Sequence, residues 1–176
     1  MALTYEDIQN KLTAQFGDAV KDYSESYGML TFEIDREKLL EVVRYLRDDE
    51  TLRFNFLTTL CGMHFPDNEL ERQFASVYHM HNWVDNVRIR FKAFLNGENP
   101  EVESVTSLFE SANWQERETY DFYGIIFKGH PDLRRILNMD EMVSFPMRKE
   151  FPVEDANRTD KDDRYFGRIP QNNNLN

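Results

Sequence analysis

The side chains best suited to chemistry lie in a dense block of charged and aromatic residues at positions 113–124. On a helix, Trp114, Arg117, Glu118 and Asp121 would share one face, because residues three and four apart are neighbours. Glu118 and Asp121 could then act as an acid/base pair, as in hydrolases. Against this interpretation, Arg117 would hold Asp121 ionised, and no further group for binding a substrate is identifiable.

Two other interpretations of this block remain open. Its charged side chains could simply form a solvated helix face. Alternatively, the block could be a protein interface, because Trp, Tyr and Arg are the residue types enriched at the energetic centres of protein contacts. The composition favours the interface over the other two interpretations.

The histidines and the single cysteine offer few other sites. His79 and His81 lie two residues apart on a predicted strand, so both rings point to one face. A metal could suit that spacing, but no third ligand is evident, and we expect packing or solvent-facing roles. His64 and His130 stand beside turns, where structural roles are expected. Cys61 lies in an apolar strand and is expected to be a buried, inert thiol.

Composition excludes several classes of protein. The chain has 176 residues, with 21 basic and 32 acidic side chains and a net charge of −11. This acidity argues against binding to nucleic acid or anionic lipid, which require a basic footprint. The 7 glycines form no phosphate-binding loop. One cysteine excludes an intrachain disulfide and any iron–sulfur or zinc site built from several thiolates, and it favours a reducing compartment. With no apolar run near the ~18 residues of a membrane span, we expect a soluble chain.

Hydrophobic periodicity predicts the α+β class, with a mixed or antiparallel sheet and helices on one face, in two layers. A first helix is predicted from the N-cap Thr4, with Asp7 in the capping-box position, to a stop at Gly17. Asp35 is predicted to cap a second helix. A helical region over 105–123, stopped by Gly124, would carry the charged block. Strands are predicted over 19–23, 29–34, 54–64, 72–81 and 86–95.

The same pattern makes finer predictions. The polar turn between the first two strands would occupy 24–28. The buried stripe of the second helix would contain Leu39, Leu40, Val43 and Leu46. Phe54, Phe56, Thr58 and Leu60 would lie on one face of their strand. The domain is predicted to span 1–152, and the polar composition of 153–176 predicts an extended C-terminal tail.

A longer and more specific pattern runs from Glu116 to Leu137. It reads E-R-E-T-Y-D-F-Y-G-I-I-F-K-G-H-P-D-L-R-R-I-L. This closely resembles the signature of the C-type subunit of proton-pumping NADH:quinone oxidoreductase, the 30 kDa subunit family of respiratory complex I. Only Phe122 departs from it, at a Leu or Met position. A second family element, R-K-[DE]-[FY]-P, matches 148–152. Just before it, Ser144 and Phe145 replace the Gly-His pair that family members usually carry.

The resemblance implies a non-catalytic subunit of the peripheral arm that carries no cofactor and supports assembly during electron transfer from NADH to quinone. Flavin, iron–sulfur clusters and quinone are expected in partner subunits. Its neighbours would be the quinone-site subunit and adjacent iron–sulfur subunits, on the cytoplasmic side of the bacterial inner membrane, with indirect membrane attachment. The residues expected at the interface are Glu116, Arg117, Glu118, Asp121, Gly124, Gly129, His130, Pro131, Arg134, Arg135, Arg148, Lys149 and Pro152.

Alternatives remain at this point. The same motif is expected in related subunits of membrane-bound hydrogenases and of ferredoxin- or F420-linked dehydrogenases. A stand-alone hydrolase using Glu118 and Asp121, or a free-standing binding module, would belong to other classes. We expect four basic residues to bond partner carboxylates or the chain's own Glu116, Glu118 and Asp121. These basic residues are Arg134, Arg135, Arg148 and Lys149.

Overall fold

The structure is a computed structural model that describes residues 3–151, so the predicted tail over 153–176 lies outside the described residues. The helices are α1 (Tyr5–Phe16), α2 (Leu39–Asp48) and α3 (Ala112–Tyr123). The strands are β1 (Val20–Ser26), β2 (Met29–Ile34), β3 (Phe56–His64), β4 (Phe74–Asn82), β5 (Val87–Leu95), β6 (Glu101–Glu103) and β7 (Ile126–Lys128).

Five strands form one mixed sheet in the order β1-β2-β5-β4-β3. The β2–β5 pair is parallel, and the other neighbours in this sheet are antiparallel. Strands β6 and β7 pair in parallel as a separate small sheet. The predicted α+β class and mixed sheet are therefore confirmed.

The core lies between one face of the large sheet and the helices. Leu60, Tyr78, Phe91 and Phe32 occupy one row across β3, β4, β5 and β2, and all four are buried. The ring of Phe91 stacks on Tyr78 at 5.0 Å and on Phe32 at 5.5 Å between centroids. Apolar side chains of all three helices belong to the same buried cluster. Helices on one face of the sheet, as predicted, enclose this core.

The ends of the first helix follow the sequence prediction. The Thr4 side chain accepts a hydrogen bond from the Asp7 amide, and the Asp7 side chain accepts one from the Thr4 amide. The helix ends at Gly17, as expected. This reciprocal cap satisfies two amide groups that the first helical turn leaves without partners.

The predicted start of the second helix is wrong. A short 3-10 turn at Arg36–Lys38 comes first, and α2 begins at Leu39. Asp35 makes no capping hydrogen bond there; its carboxylate instead lies 2.8 Å from the Lys21 ammonium. The buried stripe contains Val42, whereas Leu40 is only partly buried.

The predicted face of β3 is also wrong. Phe54 is buried but precedes the strand, and Phe56 is 43% exposed. Leu57 and Leu60 face the core instead, because the register shifts between Leu57 and Thr59. A bulge of this kind adds one residue and reverses the alternation beyond it. Strand β1 likewise extends further than predicted, so the turn to β2 contains only residues 27–28.

Candidate functional site

Helix α3 carries the charged block and rests against the edge strand β3. Gly62 permits this contact, because an added Cβ would lie 2.6 Å from Tyr123 Cδ2 and 3.0 Å from Thr119 Cγ2. The Leu60 amide donates a hydrogen bond to the side-chain oxygen of Gln115. The sheet therefore fixes the helix that positions the site.

Asp121 is the most heavily bonded side chain of α3, and it is fully buried. Its carboxylate accepts hydrogen bonds from Arg135 Nη1 at 2.7 Å, and from the Leu137 and Asn138 amides at 2.8 Å each. The Ile136 amide at 3.1 Å and the Asn138 side chain at 3.0 Å complete the set. One carboxylate thus holds four consecutive residues of a distant segment against the helix.

The same contacts set the ionisation of Asp121. Burial alone would raise its pKa, but hydrogen bonds from the Asn138 and Leu137 amides and from the Arg135 guanidinium hold the pKa well below its usual range. The sequence interpretation gave this role to Arg117, and that assignment is wrong. Arg117 instead donates to the carbonyl oxygens of Arg134 at 3.2 Å and Arg135 at 3.0 Å.

Arg135 extends the attachment toward the end of the described chain. Its side chain is only 8% exposed, and it donates to the carbonyl oxygens of Asp121, Met142 and Ser144 as well as to the Asp121 carboxylate. Because guanidinium offers five donors in a fixed plane, one arginine can bond several turns of chain at once. The segment from 134 to 144 is therefore built around this side chain.

Gly124 and Arg148 fix the next part of the segment. Gly124 has φ +75°, and an added Cβ would lie 2.6 Å from Phe145 Cε2 and 2.7 Å from Arg148 Nη2. Arg148 donates to the Tyr123 carbonyl at 2.8 Å, and its guanidinium lies 4.7 Å from the centroid of the Phe145 ring. Burial lowers the pKa of Arg148. Phe145, where the family usually has histidine, fills the space beside Gly124.

Glu116 is the second buried carboxyl group of α3, and no cation among residues 3–151 forms an ion pair with it. It accepts hydrogen bonds from Ser104 Oγ at 2.6 Å and from the Val105 amide at 2.8 Å. Burial raises its pKa to about 7, although both hydrogen bonds oppose that shift. These bonds also draw 104–106 into a turn, and α3 accordingly begins at Ala112 rather than near 105 as predicted.

The other predicted interface residues are placed differently. Glu118, Gly129, Pro131, Arg134 and Lys149 are exposed. Arg134 pairs with Asp132 at 2.9 Å, and the Lys149 amide donates to His64 Nδ1 at 3.0 Å. Pro152 lies outside the described residues. The expectation of bonds to the chain's own carboxylates thus holds for Arg135 with Asp121 alone among the four basic residues.

His130 has the structural role expected of it. Its ring bonds the Asn113 carbonyl at 3.1 Å and accepts from the Asp132 amide at 3.0 Å. The ring therefore closes the turn that follows β7 against the start of α3.

This geometry does not support an acid/base pair. Glu118 is exposed, whereas Asp121 is fully buried and its oxygens accept five hydrogen bonds. A proton-transferring carboxyl group must reach its substrate directly or through one water. Asp121 has no such access, so the two carboxyl groups do not share a reacting surface.

The sequence reasoning missed a row of exposed apolar side chains beyond the signature, which we call the loop surface. Val143, at 94% exposed, is the extreme case. These side chains have neither helix nor strand spacing, so periodicity could not identify them; apolar residues in a segment rich in charge and turns were the available signal. The loop surface comprises Leu137, Met139, Val143, Met147 and Phe151.

The remaining candidates give no reactive centre. His81 bonds the Asn86 side chain at 3.1 Å, and His64 stacks on Phe74 with ring centroids 4.4 Å apart. Within residues 3–151, no three His, Cys, Asp or Glu side chains lie together as metal ligands. Cys61 is exposed, contrary to expectation, because β3 turns that face away from the core. Desolvation and then the nearby Glu118 raise the pKa of its thiol.

None of the helices in the described part of the chain has the length and apolar character needed to cross a membrane. Residues 32–157 match the family model described as respiratory-chain NADH dehydrogenase, 30 Kd subunit. The second C-type subunit of NADH-quinone oxidoreductase from Rhizobium etli (strain CIAT 652) is 41% identical over 140 residues, covering 79% of this chain and 73% of the relative. The C-type subunit of NADH-quinone oxidoreductase from Roseiflexus sp. (strain RS-1) is 39% identical over 172 residues, 97% of this chain and 98% of the relative.

Solved structures show the same fold. The trypsin-resistant fragment (1-134) of Nqo5 superposes with a TM-score of 0.59 and 32% identity, over 73% of this chain and 98% of that one. A chain of the membrane-bound sulfane sulfur reductase, an archaeal respiratory membrane complex, gives a TM-score of 0.70 at 20% identity, over 84% of this chain and 85% of that one. The second similarity concerns the fold alone.

Proposed function

The chain belongs to the respiratory-chain NADH dehydrogenase 30 kDa subunit family, and on that premise we propose that it is a non-catalytic subunit supporting assembly of an NADH:quinone oxidoreductase. It binds neighbouring subunits of the peripheral arm through the loop surface. The quinone-site subunit and adjacent iron–sulfur subunits are the proposed partners. Flavin, clusters and quinone are held by those partners, and the chain meets the cytoplasmic side of the inner membrane only through them.

The observation that carries this proposal is the inverted polarity of residues 135–151. Arg135 is turned inward, while Val143 and the other apolar members of the loop surface are turned outward. A segment in water normally does the reverse, because exposed apolar area is unfavourable and buried charge is costly. Exposed apolar side chains in one contiguous segment are typical of a protein contact surface.

The rigidity of the segment also supports an interface. Asp121, Arg135 and Arg148 together bond the backbone of 134–144 and of Tyr123. A surface fixed before binding loses less conformational entropy when a partner docks. The buried charges of the signature thus act on assembly indirectly, by holding the apolar side chains in place.

The proposal is tested with Val143→Asp in cells that produce this chain as their only copy. Val143 is almost fully exposed, so the variant should fold normally, but a carboxylate in the contact surface should prevent docking. We expect the flavin- and cluster-bearing subunits to be lost from affinity-purified material, together with NADH:quinone activity in the membranes. Ala14→Asp, which adds the same charge on an exposed position of α1, is the matched control and should assemble normally.

Two outcomes would contradict the proposal. The wild-type chain could elute alone, or Val143→Asp could enter the complex with the yield of Ala14→Asp. The same purification distinguishes related complexes, because hydrogenase or ferredoxin- or F420-linked dehydrogenase subunits would co-elute in place of NADH dehydrogenase subunits.

A further inference from the structure

A second group of exposed apolar side chains lies at the opposite end of the large sheet, and we call it the sheet-end surface. Phe56 begins β3, Trp83 and Val84 follow β4, and Tyr27 lies in the turn before β2. The pairing of Phe56 with His81 and of Leu30 with Ile89 brings these positions to one end. Strand β4 separates them from Phe74 and the Arg148 contact by roughly 26 Å.

The sheet-end surface has a defined shape. Trp83 is 61% exposed, yet its ring meets Phe56 edge-on at 5.3 Å and lies 4.5 Å from the His81 ring. These contacts fix the indole beside a groove of about 430 Å³ on the sheet face that the helices leave uncovered. Met29, Thr59, His79 and Arg88 line the rest of the groove. A pre-positioned aromatic side chain beside a groove is typical of an interface anchor.

The charge around the groove is opposite to that of the chain as a whole. Among the described residues, neither Arg88 nor Arg90 forms an ion pair, and Arg90 donates only to Thr31 Oγ1, at 3.0 and 3.2 Å. The nearest carboxylate on the adjoining turn, Asp85, is already bonded by Asn82 at 3.0 Å and by Arg53 at 3.5 Å. A cationic, aromatic groove therefore stands on a protein of net charge −11.

We propose that the sheet-end surface binds an acidic segment of a partner subunit, with an apolar side chain against Trp83 and Phe56 and carboxylates at Arg88 and Arg90. Charge complementarity selects this occupant. A second copy of the chain is disfavoured, because a two-fold dimer through this surface would place the same arginines against each other. The inference rests on the proposed function, since the partner is another subunit of the assembly.

The test places a photo-crosslinking benzoylphenylalanine at position 59 of the full chain in cells, and at position 143 in a parallel strain. Thr59 is exposed and lines the groove. We expect irradiation of the position-59 chain to give a covalent product with another subunit, through a peptide that carries at least two Asp or Glu residues. A product within the same chain, with a second copy or with lipid, or no product, would overturn the inference.

The position-143 strain separates the two proposals. A product there without one at position 59 would leave the proposed function intact and remove the sheet-end contact. If the position-143 chain gives no product and the wild-type chain elutes alone, the proposed function itself fails.

A charge reversal tests the ionic part. Arg88→Glu should reduce the yield of the position-59 product roughly tenfold, because an attractive pair becomes a repulsive one. Arg44→Glu, the same change on the exposed face of α2, should leave the yield within about twofold. Equal yields from the two variants would contradict an acidic partner.

Discussion

Helix α3 buries two carboxyl groups five positions apart, Glu116 and Asp121, and the protein ionises them differently. Both are inaccessible to solvent. Asp121 accepts five hydrogen bonds, one from Arg135, and its pKa is held low. Glu116 accepts two hydrogen bonds and pairs with no cation among residues 3–151, and burial raises its pKa to about 7. The number and charge of the donors, and not burial itself, determine which carboxyl group stays ionised.

The two groups also organise different parts of the chain. Glu116 fixes the turn that precedes its own helix, whereas Asp121 fixes a segment that follows it by fifteen to seventeen positions. The Asp121 cluster therefore carries the loop surface, and the Glu116 cluster carries only the entry to α3. Substitutions at the two positions should differ in size and in pH dependence.

The largest effect is expected from Asp121→Asn. An amide cannot accept from every donor that surrounds this site, and Arg135 would remain buried without a counter-charge. We expect the free energy of unfolding to fall by about 3–5 kcal/mol. Urea denaturation of the purified full chain, followed by circular dichroism, measures the loss.

Glu118→Gln is the matched control, because it makes the same chemical change at an exposed position of the same helix. Its effect should stay within about 0.5 kcal/mol. Equal losses for the two variants would show that the Asp121 cluster contributes no special stability.

The next effect concerns the pH dependence contributed by Glu116. Its folded-state pKa of about 7 exceeds the reference value of 4.5, so between these pH values the folded chain binds a proton that the unfolded chain does not. Stability from this group is therefore full below pH 4.5 and is lost as pH rises through 7, by about 3 kcal/mol in total. Asp121 has the opposite sign: its contribution is present above the ordinary aspartate pKa of 3.8 and is lost below it.

Glu116→Gln isolates that contribution. The amide stays neutral, so the decline in stability between pH 5 and 8 should flatten relative to wild type. Denaturation midpoints measured across that range test it. Identical pH profiles for the variant and wild type would contradict a raised pKa at Glu116.

Ser104→Ala should give the smallest effect. It removes one donor to Glu116 and leaves the Val105 amide in place. We expect a loss of about 1 kcal/mol and a further rise in the Glu116 pKa, because this hydrogen bond favours the ionised form. The titration of stability with pH should therefore shift upward, whereas a downward shift would contradict the assigned role of Ser104.

Local signals predicted the elements well. The Thr4 cap, the Gly17 and Gly124 stops, and the alternation in β5 depend on residues close in sequence, and each was confirmed. Errors arose where distant contacts decide. The bulge after Leu57 reversed the face of β3, and the bonds from Glu116 delayed the start of α3.

The site itself was only partly predictable. The sequence singled out the right acidic and basic residues, but four cations could have paired with Asp121, and only the folded chain selects Arg135. Nor could spacing show that Glu118 faces water while Glu116 and Asp121 are buried, because α3 packs against other parts of the chain on more than one side. The loop surface has no periodicity and depends wholly on the pairing of Arg135 with Asp121.

The central claim is that Asp121 holds the segment bearing the loop surface in place. Amide hydrogen exchange at Ile136, Leu137 and Asn138 tests it most directly, since all three amides donate to Asp121. In Asp121→Asn we predict exchange at these amides to accelerate roughly a hundredfold, while the amides of β4 and β5 change far less. Unchanged protection at 136–138 in that variant would contradict the account.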